Sequence, residues 1–216
     1  MNNKKPNFFR GNRQKIGLLG GSFNPAHEGH FYISIEALKR LQLDAVWWLV
    51  TPQNPLKSKS ETFPIHQRVS SANKVACHPR IHVTTLESRL GTNYTVDTLS
   101  RLKQQLPMTR FVWLMGSDNL MQMHYWKRWN KIFNIIPIAV FARETYDFGA
   151  LAGIAANRYS MNRVPADRVA NLVNREPPAW TFLPLRWHPA ASRAVSYTHL
   201  RAHETRHDLV CRLLLE

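Results

Sequence analysis

Residues 16–30, IGLLGGSFNPAHEGH, constrain this chain more than any other stretch. A short apolar run (Ile16, Leu18, Leu19) stops at Gly20-Gly21, and a helix-compatible segment, GHFYISIEALKRLQL, follows. A buried strand, a tight turn and a helix account for that order. Gly20 and Gly21 read as positions where the backbone takes angles closed to other residues and lets main-chain N–H groups approach an anion, with the positive end of the helix pointing the same way. Such a turn suits a phosphate. His27 and His30 stand three apart, so both imidazoles can project from one side of the helix start. They can cap the helix, or they can donate to a transferring phosphoryl group and stabilise its charge. Two histidines beside a phosphate-type turn favour the second role.

The rest of the chain repeats the alternation of strand and helix. Phe31, Ile35, Leu38 and Leu41 keep a helical period, and DAVWWLVTP reads as the next strand, closed by a proline. Pro64 to His78 predicts a helix with Ile65, Val69, Ala72 and Val75 apolar and Arg68 turned toward the site, and RIHVTTLE a short strand. In GTNYTVDTLSRLKQQLP, Thr95 is placed to cap a helix through Val96, Leu99 and Leu102 that stops before Pro107. Phe111 to Met115 predicts a strand ending at Gly116, with Ser117 or Asp118 capping the helix after it. IIPIAVFARE makes a fifth strand, residues 146–175 read as mostly helical and polar, and EPPAWTFLPL gives a last strand. Strands joined by helices pair in parallel, so the expected fold is α/β, a Rossmann-like doubly wound parallel sheet in a single domain over residues 16–193. Trp126 and Trp129, three apart, fit either a core or a ligand platform.

The eleven residues GGSFNPAHEGH resemble the G-G-[TS]-F-[DN]-P-x-H-x-G-H signature of the nucleotidyltransferase superfamily. That resemblance implies transfer of a nucleotidyl group from a nucleoside triphosphate with release of pyrophosphate and no covalent intermediate. It implies that His27 and His30 contact the triphosphate as catalytic residues and that Gly20, Gly21, Ser22 and Phe23 shape an ATP-binding turn. Tyr94 and Thr95 match the [ST]-x-Y-T-[VI]-D-T-L segment of superfamily members that make the nicotinate dinucleotide, where the loop holds the pyridine ring and its carboxylate. Gly116 and Asp118 resemble the family's G-x-D, whose carboxylate meets ribose hydroxyls of the nucleotides; two acceptor oxygens suit a vicinal diol. Trp126 resembles the tryptophan that stacks on the nicotinate ring. Lys57, in TPQNPLKSKS, resembles a lysine at the carboxyl end of the second strand and is a candidate catalytic contact to phosphate, with a solvated lysine as the alternative. Arg143 resembles a basic ATP-binding residue just past the fifth strand, although Glu144 and Thr145 replace the usual proline and glycine.

The family implied is that of the nicotinate-nucleotide adenylyltransferases. Its substrates are ATP and nicotinate mononucleotide, its products deamido-NAD and pyrophosphate, and its cofactor Mg²⁺ carried with ATP rather than held by dedicated protein ligands. Members that use nicotinamide mononucleotide or phosphopantetheine share the first motif, and selectivity between amide and carboxylate rests on a few donors.

Composition adds limits. The formal charge of +15 would suit a nucleic-acid partner, but five of the basic residues (Lys4, Lys5, Arg10, Arg13, Lys15) sit in the first fifteen positions without an acid. That is a flexible basic arm over residues 1–15 and not a binding stripe, and no nucleic-acid module accompanies it. A positive field also steers anionic mononucleotides. No apolar run approaches the roughly 20 residues of a membrane span, and the start lacks a signal-peptide core, so a cytoplasmic protein with no membrane partner is expected. Cys77 and Cys211 stand far apart in no metal-ligand spacing.

The end of the chain departs from the pattern. The family's second triphosphate motif, [IL]-S-S-T-x-[IL]-R, should follow the last strand; Ser192 aligns with one of its serines as an ATP contact, but Arg193 stands where a threonine is expected and Ser196 where the arginine should be. Ser196 to Glu204 back-translates to TCT TAT ACA CAT CTC CGA GCC CAC GAG, and Leu209 to Glu216 to CTC GTA TGC CGT CTT CTG CTT GAA. These resemble the constant halves of a transposon-type sequencing adapter. Residues 194–216 are therefore expected to be a non-native tail.

Overall fold

The computed structural model describes residues 13–52, 62–142 and 147–185. The predicted basic arm lies almost wholly outside these residues, and the predicted non-native tail entirely so. Seven parallel strands form one sheet in the order β3-β2-β1-β4-β5-β7-β6. Strand β1 (Lys15–Gly21) is central, followed by helix α1 (Glu28–Arg40), β2 (Ala45–Val50), α2 (Ile65–Val75) and β3 (Ile81–Thr84). The chain then crosses to the other side of β1 with α3 (Leu86–Leu90), α4 (Thr95–Gln105) and β4 (Arg110–Gly116). Beyond β4 come α5 (Ser117–Gln122), a 3₁₀ turn (Met123–Tyr125), α6 (Trp129–Ile135) and β5 (Ile138–Ala142). The last described elements are α7 (Asp147–Leu151), α8 (Ile154–Arg158), β6 (Arg163–Val164), a 3₁₀ segment (Ala166–Asn174) and β7 (Trp180–Pro184).

Period-two alternation divides the strands between two cores. Ile16, Leu18, Trp47, Leu49, Phe111, Trp113 and Met115 face one way, onto Val96, Leu99 and Leu102 of α4 and Ile132 and Phe133 of α6. Leu19, Val46, Trp48, Val50, Val112 and Leu114 face the other, onto Ile33, Ala37 and Leu38 of α1 and Val169, Leu172 and Val173. The doubly wound sheet expected from the sequence is the fold observed, and its two halves part between β1 and β4. Ligands in such sheets bind outside the carboxyl ends of the strands flanking that parting.

Four local expectations are corrected. Residues 80–87 do not stay extended, because Leu86 starts α3, which buries Leu86, Glu87 and Leu90 and closes on Gly91 in the left-handed region at φ 61°. Thr95 is the first helical residue rather than the cap of α4; Tyr94 holds the cap position and no side chain caps it. Gly116, not Ser117 or Asp118, precedes α5. Residues 147–175 contain a strand as well as helices: Val164 pairs with Thr181 of β7, Thr181 Oγ1 donates to the Val164 carbonyl at 2.9 Å, and Pro165 prevents a helix from running through.

Candidate active site

The glycines at the end of β1 do not take the unusual backbone angles read into them from the sequence. Both are strand residues, paired with Leu49 and Val50 of β2, and neither has positive φ. Gly20 is required by space: a Cβ there would lie 2.8 Å from Cζ2 of the buried Trp113 indole. Turning is done next door by Phe23, a non-glycine residue at φ 47°. Its ring is 2% exposed and stacks on Trp48 with centroids 5.0 Å apart, so burial of a large aromatic holds the left-handed backbone in place. The Phe23 ring belongs to the core, and the turn is shaped from within.

Helix α1 begins with a reciprocal cap made by the two motif histidines. Gly29 N–H donates to His27 Nδ1 at 3.1 Å, and His27 N–H donates to His30 Nδ1 at 3.3 Å, with the rings 3.9 Å apart. The capping and ligand readings of these residues are thus compatible. A ring nitrogen that accepts an N–H carries no proton, so each neutral imidazole keeps its proton on Nε2 and presents that atom as a donor.

Arg68 knits this turn to its surroundings. It is 3% exposed, and its guanidinium donates to the carbonyls of Ser22 (2.7 Å), Thr51 (2.8 Å), Pro52 (2.9 Å) and Phe63 (2.8 Å). One cation therefore fixes the segments that leave β1 and β2 and the one that enters α2, and its burial lowers its pKa.

Between the β1 end and the far side of the sheet lies a cleft of about 440 Å³. Gly20, Gly21 and Ser22 form one wall; Tyr94 and Thr95 another; Trp126 a third, with Trp113 and Glu87 beneath. The half-buried Trp126 meets Trp113 edge to face at 6.4 Å, so it packs on the core and lines the cleft at once. Two charged contacts join the Tyr94 and Trp126 walls: Lys127 Nζ sits 4.0 Å over the Tyr94 ring, and Arg128 pairs with Asp97. Gly116 and Asp118 stand at the parallel turn after β4, where the Asp118 carboxylate is exposed and folds back against Gly116.

The structure brings together Gly20, Gly21, Ser22, Tyr94, Thr95 and Trp126 in one cleft. His27, His30, Gly116 and Asp118 flank that cleft at the two strand-to-helix turns without lining it. Lys57, Arg143 and Ser192 lie outside the described residues. Sequence reasoning missed the roles of Trp113 and Glu87 and undervalued Arg68. Arg68 had a signal, a charge on the Ile65, Val69, Ala72 face of α2; Glu87 and Trp113 read as ordinary positions in a helix and a strand.

The cytidylyltransferase-like family model matches residues 18–194. A protein of Cereibacter sphaeroides named as a probable nicotinate-nucleotide adenylyltransferase is 47% identical over 183 residues, covering 85% of this chain and 97% of its own length. One of the same name from Bradyrhizobium sp. is 48% identical over 169 residues, covering 78% and 88%. Among solved structures, the Plasmodium falciparum nicotinic acid mononucleotide adenylyltransferase complexed with NaAD shares the fold at TM-score 0.60 and 16% identity, over 81% of this chain and 77% of that one. The chain belongs to the nicotinate-nucleotide adenylyltransferase family, within the cytidylyltransferase-like group of nucleotide-transferring enzymes.

Proposed function

We propose that this protein transfers the adenylyl group of ATP to nicotinate mononucleotide, giving deamido-NAD and pyrophosphate. The observation that carries the reading is the single cleft joining the Gly20–Ser22 end of β1 to Tyr94, Thr95 and Trp126. One end has the backbone of a phosphate turn beside two imidazole donors, and the other has aromatic walls for a flat ring.

In the reaction a phosphate oxygen of the mononucleotide attacks the α-phosphorus of ATP in line; the new O–P bond forms as the bond to the β-phosphate oxygen breaks and pyrophosphate leaves. No covalent enzyme intermediate is needed, so the work is positioning and charge neutralisation. His27 and His30 donate from Nε2 to phosphate oxygens as charge builds on them. Ser22 and the glycine backbone hold the triphosphate, Arg68 keeps that loop rigid, and Asp118 accepts from ribose hydroxyls. Trp126 and Tyr94 hold the pyridine ring, with Thr95 at its edge. The donors at the first turn suit phosphate oxygens, and Mg²⁺ carried by ATP would supply neutralisation of its phosphate charge.

Residues 194–216 are read as foreign to the enzyme, supported by the broken second triphosphate motif and the adapter-like back-translation. The test of function is pyrophosphate release by purified protein with ATP, Mg²⁺ and, separately, nicotinate mononucleotide, nicotinamide mononucleotide and phosphopantetheine. Turnover with the first and little with the others is expected; preference for either of the others overturns the reading.

A further inference from the structure

Glu87 is the one buried carboxylate among the described residues, 3% exposed, and it sits beneath the cleft between Thr51 at the end of β2 and Thr98 on α4. Its backbone carbonyl accepts from Thr92 N–H at 3.0 Å, and its Oε1 lies 3.3 Å from Thr98 Oγ1. Thr98 Oγ1 in turn touches Thr92 Oγ1 at 2.8 Å and the Tyr94 carbonyl at 3.2 Å. Oε2 has no partner among the described residues.

The protons in this cluster can be counted. A hydroxyl donates once and accepts twice. Thr98 Oγ1 can give its one proton to Glu87 Oε1 or to the Tyr94 carbonyl, and Thr92 Oγ1 can give its own to Thr98 or to the Glu87 carbonyl at 3.4 Å, so Glu87, Thr92, Tyr94 and Thr98 are tied in one network. Burial also pushes this carboxyl above its ordinary range, against hydrogen bonds from Thr51 and Thr98 that pull it down.

We propose that Glu87 is a positioning residue of the acceptor half of the site: its buried side chain holds the Thr98 hydroxyl, and through Thr98 the Thr92–Tyr94 loop, in the form that receives the pyridine ring. The claim rests on the mononucleotide reading above. It assigns to Glu87 no contact with substrate, and its consequence is confined to one of the two substrates, because the ATP half is held separately by Arg68 and the histidine caps.

The test measures nicotinate mononucleotide affinity by quenching of tryptophan fluorescence and ATP affinity by calorimetry, on the full chain and its variants. Glu87→Ala should weaken mononucleotide binding by about tenfold or more, the equivalent of one lost buried hydrogen bond. Glu87→Gln keeps a side chain of the same shape whose amide oxygen can still accept from Thr98 and should stay within about twofold of the parent, and ATP affinity should hold within about twofold throughout. Thr98→Val, which removes the linking hydroxyl at constant shape, should weaken mononucleotide binding in the same direction and carries the test alone if Glu87→Ala does not fold. The proposal is overturned if Glu87→Gln is as weak as Glu87→Ala, if both substrates weaken equally, or if neither Glu87→Ala nor Thr98→Val moves the mononucleotide constant. A parent chain that binds nicotinamide mononucleotide or phosphopantetheine in its place overturns the functional reading and this proposal together, whereas a parent that binds nicotinate mononucleotide as Glu87→Ala does overturns only the proposal.

Discussion

The turns after β1 and β4 use the same strand–turn–helix device with opposite internal chemistry. At the first, side chains close every gap: His27 and His30 cap α1 reciprocally, Phe23 fills the space under the bend, and Arg68 ties down the Ser22 carbonyl. At the second, Gly116 precedes α5 with no side-chain cap, and Ser117 Oγ is buried without a partner among the described residues. Asp118 is exposed and held only against its own turn. A turn whose polar groups satisfy one another is rigid before any ligand arrives, as a site for charge development in a transition state needs to be. A turn with open acceptors is suited to ground-state binding of hydroxyls, which tolerates adjustment.

If that contrast is right, the largest effect comes from the first turn. His30→Ala removes an Nε2 donor and one half of the cap, and turnover should fall roughly 10²-fold or more, as expected for about 2.7–4 kcal/mol of lost charge stabilisation. Loss of the cap adds about 1 kcal/mol of destabilisation, readable by urea unfolding. Near-parent turnover would remove the histidine from the chemistry and make the two turns equivalent.

The tail sharpens the comparison from outside the described residues. Replacing residue 191 onward with S-S-T-A-I-R and a short natural helix should improve the apparent constant for ATP by about tenfold, since restored serine, threonine and arginine donors grip the triphosphate from the side opposite the histidines. The constant for the mononucleotide should move far less. Equal performance of the 216-residue chain and the repaired one would argue that residues 194–216 are native.

Trp126 divides the substrates the other way. Trp126→Ala should weaken nicotinate mononucleotide by about 1–3 kcal/mol, the range for losing an aromatic platform, with ATP little changed. Equal losses for both, together with a large fall in melting temperature, would assign Trp126 to the core alone, through its edge-to-face contact with Trp113.

Two glycine substitutions give the smallest and cleanest contrast. Gly20→Ala drives a methyl into the buried Trp113 ring, which cannot move away, and should cost about 1–3 kcal/mol of stability. Gly116→Ala meets only the Asp118 carboxylate, the mobile end of an exposed side chain, and should cost under about 1 kcal/mol. Equal costs would mean that the second turn is as closed as the first.

The same particulars show what the amino-acid order conveys. The doubly wound sheet was readable because strand and helix alternate with clear apolar periods, and the first turn because eleven adjacent residues carry it. Gly20 was singled out for the wrong reason: spacing cannot reveal that an indole 93 positions later, Trp113, packs on it. The two-residue strand β6 was hidden because Arg163 and Val164 become a strand only by pairing with β7. Glu87 was invisible because its burial and its threonine partners arise from three separate elements packing together.

The account stands on one claim, that the cleft between the two turns joins ATP to a pyridine mononucleotide bearing a carboxylate. The most direct measurement is pyrophosphate release by the repaired chain with ATP and Mg²⁺, comparing nicotinate with nicotinamide mononucleotide as acceptor. The account predicts pyrophosphate and deamido-NAD in equal amounts with nicotinate mononucleotide and at least about tenfold lower kcat/KM with the amide, a difference of about 1.4 kcal/mol. Equal turnover of the two acceptors, or pyrophosphate release with neither, would contradict it.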